Sequence, residues 1–218
     1  MQRVTEPEVM DSAQEAIEYD AMNFTEVNTD FAKRAIEIGP PSGLILDAGT
    51  GTARIPIILC QMAPQWQIIG IDLAQFMLQV GLENVTSANF QSQIKLEFVD
   101  AKQLSYPDGH FDMVVSNSLI HHLPTPLPFL QELKRVLKPN GAILLRDLIR
   151  PASVEILNNI VENVAADCNS KQKQLFCDSL HAAFTLDEVN ELIKQASLEG
   201  VIVYQSSDRH WTAERPFQ

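Results

Sequence analysis

The residues best suited to chemistry begin with a glycine turn that follows a short apolar run. Leu44-Ile45-Leu46-Asp47 predicts a buried strand, and Gly49 and Gly51 then lead into a helical pattern. Glycines allow a ligand to approach the backbone, and the amino end of a helix favours an anionic group. The turn is therefore a candidate ligand site, with a plain strand–loop–helix connection as the alternative.

Two patterns of small residues compete at this turn. The dinucleotide-binding fingerprint G-x-G-x-x-G would place its last glycine or alanine at Arg54, where we expect an arginine to clash with close helix–strand packing. The pattern D-x-G-x-G-x-A instead fits at Asp47, Gly49, Gly51 and Ala53. The spacing therefore argues against an NAD site.

Polar residues follow the next three predicted strands. Asp72 lies 21 residues after Gly51, where a carboxylate can accept hydrogen bonds from ribose hydroxyls, although an ordinary helix-capping aspartate is the alternative. Asp100 follows the third strand and could accept from an adenine amino group, and Asn117 follows the fourth. Ligands of such sheets bind at the carboxyl ends of the strands, so we expect these side chains to surround one ligand.

Two adjacent histidines, His121 and His122, come shortly after Asn117. On a helical turn they point about 100° apart, so one can face a pocket while the other packs. A neutral imidazole suits a general base at pH 7, and Asp147, at the end of the fifth predicted strand, is another candidate base. As a metal pair the histidines lack a third ligand at sensible spacing, so no metal is predicted. A structural role for either histidine is the alternative.

Composition limits the partners of the chain. Its 218 residues, 45% hydrophobic and 20% charged, suffice for a globular core. Sixteen basic and 28 acidic residues give a net charge of −12, which disfavours nucleic acid and anionic membranes. Cys60, Cys168 and Cys177 lack C-x-x-C spacing, which disfavours zinc and fits a reducing cytosol. With no signal-like or membrane-spanning run, we expect a soluble cytoplasmic protein of undetermined oligomeric state.

Strand and helix patterns alternate along most of the chain, which predicts a doubly wound α/β sheet. Two helices are predicted over residues 8–38, beginning with Val9, and others over 53–62, 75–83 and 128–137. Pro139-Asn140-Gly141 is expected to stop the last of these, and a capping box at Thr185 starts a helix to about Ser197. Strands are predicted over 44–47, 67–72, 94–100, 111–117, 142–147 and 200–205, with a closing strand around 210–213.

This order predicts a single domain, residues 1–218, in four parts. Residues 1–41 form a helical cap, and residues 42–150 form a core with the candidate ligand site. Residues 151–184 form a helical insert, which we expect to pack over one edge of the sheet. Residues 185–218 form a helix and a hairpin that adds an antiparallel strand at the sheet edge.

Five segments in this order resemble class I S-adenosylmethionine-dependent methyltransferases, especially the small-molecule branch with the ubiquinone and menaquinone methyltransferases. The segments are LDAGTGTA from Leu46, GIDLA from Gly70, FVDA from Phe98, FDMVVSNSLIHHL from Phe111 and KRVLKPNG from Lys134. The resemblance covers about residues 42–148. It implies a Rossmann-like, mostly parallel seven-stranded sheet with helices on both faces and an antiparallel last strand. It also implies S-adenosyl-L-methionine as cofactor and transfer of a methyl group to a small molecule (EC 2.1.1.-).

The resemblance also implies roles for individual residues. Asp72 would hold the ribose hydroxyls, Asp100 the adenine amino group, and Asn117 would flank the sulfonium. Tyr19 would cover the cofactor from the N-terminal segment. The complete implied cofactor site comprises Tyr19, Asp47, Ala48, Gly49, Thr50, Gly51, Asp72, Leu73, Met77, Asp100, Ala101 and Asn117. His121, His122 and Asp147 remain the candidate catalytic residues.

Other functions and the acceptor stay open at this level. A non-catalytic cofactor-binding partner subunit and, less favoured, a nucleotide-dependent oxidoreductase are the alternatives. A metalloid methyltransferase would need Cys168 and Cys177 to meet in space. Arg146 and Arg150 could bind an anionic acceptor, or pair with some of the many acids. The insert and hairpin are expected to shape the acceptor pocket with Phe176, His181, Phe184, His210 and Trp211.

Overall fold

The computed structural model describes residues 1–6, 12–166 and 168–218 and contains a seven-stranded mixed sheet. The strands are β1 (Gly43–Ala48), β2 (Trp66–Asp72), β3 (Ile94–Phe98), β4 (Phe111–Asn117), β5 (Leu137–Leu148), β6 (Ile202–Gln205) and β7 (His210–Arg215). Their spatial order is 3-2-1-4-5-7-6, with β1 to β5 parallel and β7 antiparallel to both of its neighbours. The expected doubly wound sheet is confirmed.

The helices of the described residues agree with the predicted pattern. They are α1 (Ala13–Asp20), α2 (Thr25–Ile38), α3 (Arg54–Met62), α4 (Gln75–Ser87), α5 (Leu127–Val136), α6 (Val154–Val164), α7 (Ser170–Ala182) and α8 (Leu186–Gln195). The capping box at Thr185 is confirmed, whereas Val9 lies outside the described residues. Within the described ranges, no helix is long and apolar enough to cross a membrane.

The helix stops before Pro139-Asn140-Gly141 as expected, but the fifth strand starts earlier than predicted. Helix α5 ends at Val136, and these residues already belong to β5. The register against β4 shifts between the Phe111–Leu137 and Met113–Ala142 pairs, so several residues of β5 bulge out of the ladder. A proline can lie in such a bulge because a bulged residue does not need to donate a ladder hydrogen bond.

The C-terminal hairpin forms, but the antiparallel strand is not at the sheet edge as expected. β7 lies between β5 and β6, which leaves β6 at the edge. Trp211 and Glu214 of β7 are buried, whereas Ile202 of β6 is exposed. A strand that pairs on both sides can satisfy the backbone groups that point to either side, and the shorter, more exposed β6 takes the edge position.

The helical insert crosses the carboxyl end of the sheet, which corrects the expectation that it covers a sheet edge. α6 and α7 pack together over Leu148, the last residue of β5, and α7 also contacts a short 3₁₀ helix, Ile120–His122, that follows β4. Leu157 of α6 and Leu180 of α7 are fully buried in this cluster. The insert thus lies beside the end of the sheet where ligands bind.

Two apolar layers enclose the sheet. Helices α5 and α8 cover one face, over a cluster that includes Phe129, and α2 and α3 cover the other, over a cluster that includes Phe31. Along β4, Val114 faces the α5 side, whereas Met113 and Val115 face the α2 side. This two-residue alternation decides which polar side chains share a face at the strand ends.

Gly70 of β2 allows the glycine turn to lie close against the strand. A Cβ at this position would lie 2.6 Å from Thr50 Oγ1 and 2.9 Å from Leu96 Cδ2. Because the Thr50 hydroxyl donates to buried Asp47, it does not turn away freely. We expect Gly70→Ala to lower the free energy of unfolding in urea by about 1–3 kcal/mol, as overpacked cores do.

A second substitution tests that cause. Thr50→Ala removes the nearest clashing atom, so the Gly70→Ala/Thr50→Ala double variant should lose less than the sum of the two single losses. Strictly additive losses would show that the contact with Thr50 is not responsible.

Candidate functional site

A cavity opens at the carboxyl ends of β1 to β4, where the strand order reverses between β1 and β4. Doubly wound sheets bind ligands at this position. The cavity is lined by Tyr19, Gly49, Gly51, Ile71, Asp72, Leu73, Ala74, Met77, Val99, Asp100, Ala101, Lys102, Asn117, Ser118, Leu119, His122 and Leu123. The fold therefore brings together nine of the twelve residues expected at a cofactor site, and one of the three candidate catalytic residues.

The glycine turn is fastened to the end of β2. The Gly49 and Thr50 N–H groups donate to the Ile71 carbonyl, each at 2.9 Å, and the Gly51 N–H donates to Asp72 Oδ2 at 2.8 Å. Gly49, Gly51 and Ala53 all have positive φ, between 52° and 74°, which glycine adopts without strain. A Cβ on Gly51 would meet only Tyr19, at 3.9 Å, so that position faces open space in the cavity.

Asp72 combines burial with several hydrogen bonds. Besides the Gly51 N–H, its carboxylate accepts the Ala74 N–H at 2.9 Å through Oδ1. Burial raises the pKa of Asp72 above its usual range, while the backbone donors oppose that shift. Each carboxylate oxygen has a second lone pair, so Asp72 can still accept hydrogen bonds from a ligand.

Asp47, Ala48 and Thr50 stand behind the cavity wall and do not line it. Asp47 Oδ2 accepts the Thr50 hydroxyl at 2.7 Å, and this contact braces the turn from within. Burial, with the nearby charge of Asp72, raises the pKa of Asp47 to about 7. The geometry gives these three residues a supporting position rather than one in contact with a ligand.

The raised pKa of Asp47 predicts a pH-dependent stability. An aspartate has a pKa of about 3.9 in an unfolded chain, so between about pH 4 and pH 7 the folded state binds more protons. This group's contribution to stability therefore falls as pH rises through that window. We expect Asp47→Asn to remove this slope, so the wild type should lose about 2 kcal/mol relative to the variant between pH 5 and pH 8 in urea unfolding. Parallel pH profiles for the two proteins would refute this assignment.

Helix α1 covers one side of the cavity. Ala16 of α1 packs on Ala74 and Met77 near the start of α4, and Tyr19 reaches the cavity beside them. Loss of hydration, together with the charge of Asp72, raises the pKa of Tyr19 to about 12. The Tyr19 hydroxyl therefore stays protonated and able to donate a hydrogen bond.

Arg54 does not clash with the helix–strand packing, contrary to the expectation from the dinucleotide pattern. Ala53 is the fully buried residue at the helix start, and the Arg54 side chain is half exposed. Its Nε and Nη2 donate to the two carboxylate oxygens of Asp20, at 2.8 and 2.5 Å. Arg54 thus ties the end of α1 to the start of α3, and packing at this residue is no argument against NAD.

The two histidines occupy different environments. His122 lines the cavity, whereas His121 is buried with its Nδ1 2.5 Å from Asp147 Oδ1. Burial alone would lower the pKa of His121, but the Asp147 carboxylate outweighs it and raises that pKa. Asp147 also accepts the N–H groups of His121 and Leu148, at 3.0 and 2.6 Å. Two of the candidate catalytic residues, His121 and Asp147, therefore form a buried pair one step behind the cavity.

The first six residues reach this region, which the sequence pattern did not indicate. Arg3 donates to the carbonyls of His121, Leu123 and Ala182 at 2.6–3.0 Å, and its guanidinium lies 3.9 Å from the centre of the Phe184 ring. Glu6 follows, with its carboxylate beside both histidines. An isolated Arg-x-x-Glu near a chain start carries no periodic signal, so only the fold reveals these contacts.

A second cavity of about 520 Å³ lies beside the first, next to β5. Arg146 of β5 pairs in register with Asn117 of β4, and alternation places both side chains on the α2 face. Arg146 is buried and bonds Asp30 at 2.7 Å and the Thr212 hydroxyl at 3.1 Å. The cavity lining comprises Glu26, Val27, Thr29, Asp30, Lys33, Arg146, Ser206, Ser207, Arg209 and His210.

The remaining acceptor-site candidates separate into different places. His210 lines the second cavity, where burial and Arg209 lower its pKa to about 4. Trp211 and Phe184 belong to the apolar core of the α5 face, and Phe176 packs on the insert cluster. Arg150 lies away from both cavities and pairs with Glu188 at 2.6 Å. His181 contacts the N-terminal segment through its carbonyl, which accepts the Val4 N–H.

Cys60, Cys168 and Cys177 are all free thiols in the described part of the chain. No disulfide joins any two of them, and the meeting of Cys168 and Cys177 in space stays an expectation.

Comparisons with known proteins agree with this architecture. A family model described as a methyltransferase domain matches residues 42–214. Demethylmenaquinone methyltransferase of Symbiobacterium thermophilum is 32% identical over 114 residues, which are 52% of this chain and 45% of that protein. 27-O-Demethylrifamycin SV methyltransferase of Amycolatopsis mediterranei is 27% identical over 71% of this chain and 53% of that protein. The chain thus spans about half the length of these curated relatives.

The fold has a match among solved structures along nearly its whole length. A SAM-dependent methyltransferase from Aquifex aeolicus superposes with a TM-score of 0.71, covering 96% of this chain and 100% of that one at 19% identity. That likeness shows the fold, and the family model covers most of the chain, from β1 to the next-to-last residue of β7. On this basis the chain belongs to the methyltransferase-domain family.

Proposed function

We propose that the protein transfers a methyl group from S-adenosyl-L-methionine to a small-molecule acceptor and releases S-adenosylhomocysteine. The observation that carries the proposal is the cavity at the strand switch point, where Asp72, Asp100 and the glycine turn converge. Relatives named as methyltransferases of menaquinone precursors and of a rifamycin support the reaction class.

The residues of the cavity fit the parts of this cofactor. Asp72 offers free lone pairs at a position suited to ribose hydroxyls, and Asp100 lies on the β3 side of the cavity. The backbone N–H of Lys102 donates to Asp100 Oδ1 at 2.8 Å, and the Lys102 ammonium lies 3.1 Å from the same oxygen. Leu73 and Met77 provide apolar surface for a flat ring between these acids.

The chain's contribution to catalysis is mainly one of positioning. When bound, S-adenosyl-L-methionine would supply an already activated methyl group for in-line attack by the acceptor, with S-adenosylhomocysteine as the leaving group. The glycine turn and Asp72 hold the cofactor in position, while Tyr19 and α1 limit the access of water on the side of the cavity that they cover. His122 is the candidate catalytic residue in contact with the cavity, and His121 and Asp147 act as positioning residues behind it.

The second cavity is the proposed acceptor site. Arg146 of its lining pairs in register with Asn117, which supports a position beside the predicted sulfonium end of the first cavity. Lys33, Arg146 and Arg209 oppose the acids Glu26 and Asp30 in its lining, so we expect a polar acceptor. Arg146 could contribute to binding an anionic group even though one of its nitrogens already bonds Asp30.

Ligand-induced stabilisation tests the cofactor first. S-Adenosylhomocysteine at about 100 times its Kd should stabilise the protein by about 2.7 kcal/mol and raise the unfolding midpoint, whereas NAD should not. A shift with NAD alone would favour the oxidoreductase instead. Binding without turnover of labelled donor across phenols, quinones, amines and thiols would favour a non-catalytic cofactor-binding subunit.

A further inference from the structure

Three side chains with metal-ligand chemistry meet beside the cofactor cavity. Glu6 Oε1 lies 3.0 Å from His122 Nδ1 and 3.3 Å from His121 Nε2, and one ligand atom from each residue falls within 4.8 Å of the others. The sequence argued against a metal because the histidine pair lacked a third ligand, and the fold supplies one from the N-terminal segment. We propose that Glu6, His121 and His122 bind one divalent transition-metal ion such as Zn²⁺.

The spacing of these atoms suits ligands of a shared ion better than hydrogen-bond partners. Zinc bonds of about 2.0–2.1 Å in a tetrahedral site place neighbouring ligand atoms about 3.3 Å apart. His122 Nδ1 is buried and makes no hydrogen bond within the described residues, although Glu6 Oε1 is only 3.0 Å away. A short contact without hydrogen-bond geometry is expected when both lone pairs point at a third atom between them.

The protein also holds the ligands in place as metal sites usually require. Asp147 binds Nδ1 of His121, which leaves Nε2 of that ring directed toward Glu6. A carboxylate behind a ligating histidine is the common outer partner in metal sites, where it fixes the ring and its tautomer. Arg3, through its bonds to the backbone near the histidines, anchors the segment that carries Glu6.

The ligand types indicate the class of ion. Two imidazoles and one carboxylate suit zinc, cobalt, iron or nickel, whereas magnesium and calcium prefer oxygen ligands. Three protein ligands leave at least one coordination position for water. Because His122 also lines the cofactor cavity, bound metal would fix the N-terminal segment at the cavity wall. If the proposed function is correct, metal and S-adenosylhomocysteine should alter each other's affinity by the same factor.

Cobalt provides a direct probe of this site. The full chain, purified without a histidine tag and stripped with a chelator, is titrated with Co²⁺ and followed by its visible absorption and by calorimetry. We expect one Co²⁺ per chain, displaced by Zn²⁺. Glu6→Gln and His122→Gln should each weaken Co²⁺ binding at least tenfold, because each removes one of three ligands. His110→Gln is the matched control, since His110 lies at the opposite end of β4 and stacks on Tyr106.

The outcomes separate the metal site from the proposed function. If the wild type does not bind Co²⁺, or if both Glu6→Gln and His122→Gln bind it as tightly as the wild type does, the metal-site proposal is wrong. The three side chains would then form only a cluster of an acid and two imidazoles. Calorimetry with S-adenosylhomocysteine on both the metal-free and the Co²⁺-loaded protein tests the cofactor independently. Co²⁺ binding without S-adenosylhomocysteine binding would keep the metal site and reject the methyltransferase proposal.

Discussion

Replacing Asp72 with alanine should weaken S-adenosylhomocysteine binding by about 10- to 100-fold, or about 1.4–2.8 kcal/mol. The substitution removes the proposed acceptor of the ribose hydroxyls. It also removes the partner of the Gly51 and Ala74 N–H groups, so the glycine turn loses its tie to the end of β2. Both the lost ribose contact and the loosened glycine turn weaken the binding of S-adenosylhomocysteine. Isothermal calorimetry on the wild type and the variant measures their combined effect on the Kd.

Two further variants separate these losses. Asp72→Asn keeps one oxygen that can accept a backbone N–H, so its affinity should fall between those of the wild type and Asp72→Ala. Asp108→Ala is the control, because Asp108 is exposed and pairs with Arg135 near the amino end of β4. Equal affinity in wild type and Asp72→Ala would remove Asp72 from the cofactor site.

Replacing Asp147 with alanine should destabilise the protein by about 3–5 kcal/mol, the usual cost of removing one partner from a buried charged pair. Asp147 is 1% exposed and accepts hydrogen bonds from the His121 ring and from two backbone N–H groups. Alanine would leave these donors buried without a partner. Urea denaturation at neutral pH measures the loss.

The control for this prediction is an exposed ion pair. Asp208→Ala removes a carboxylate that is 70% exposed and contacts Arg209, so it should cost less than about 1 kcal/mol. The double variant His121→Leu/Asp147→Leu should recover part of the loss, because it removes donor and acceptor together. A loss from Asp147→Ala no larger than that from Asp208→Ala would show that the pair is not important for stability.

The alternation of apolar runs with helical spacing was enough to predict the sheet and most of its helices. Those signals are local, because a buried strand and an amphipathic helix each impose their own period on the residues. The glycine turn, Asp72, Asp100 and Asn117 could be placed together for the same reason, since each directly follows a strand of a parallel sheet. No comparison tests their individual roles, which stay predictions.

Features that depend on residues far apart in the chain could not be predicted. β7 lies between β5 and β6 because it pairs with both neighbours better than β6 would. No residue pattern within β7 alone predicts that position. Glu6 reaches the histidines through contacts such as those of Arg3 with backbone carbonyls more than a hundred residues away. The bulge in β5 could not be predicted because Pro139 lies in it, and a proline usually indicates the end of a helix or strand.

The position of β7 sets a condition on how the chain folds as it is synthesised. β5 is complete at Leu148, but its second neighbour begins at His210, so one side of β5 stays an unpaired edge while about sixty more residues are made. An exposed strand edge is a template for pairing with other chains. Truncation of the protein before residue 210 should therefore give an aggregating product, even though every residue of the cofactor cavity would already be present.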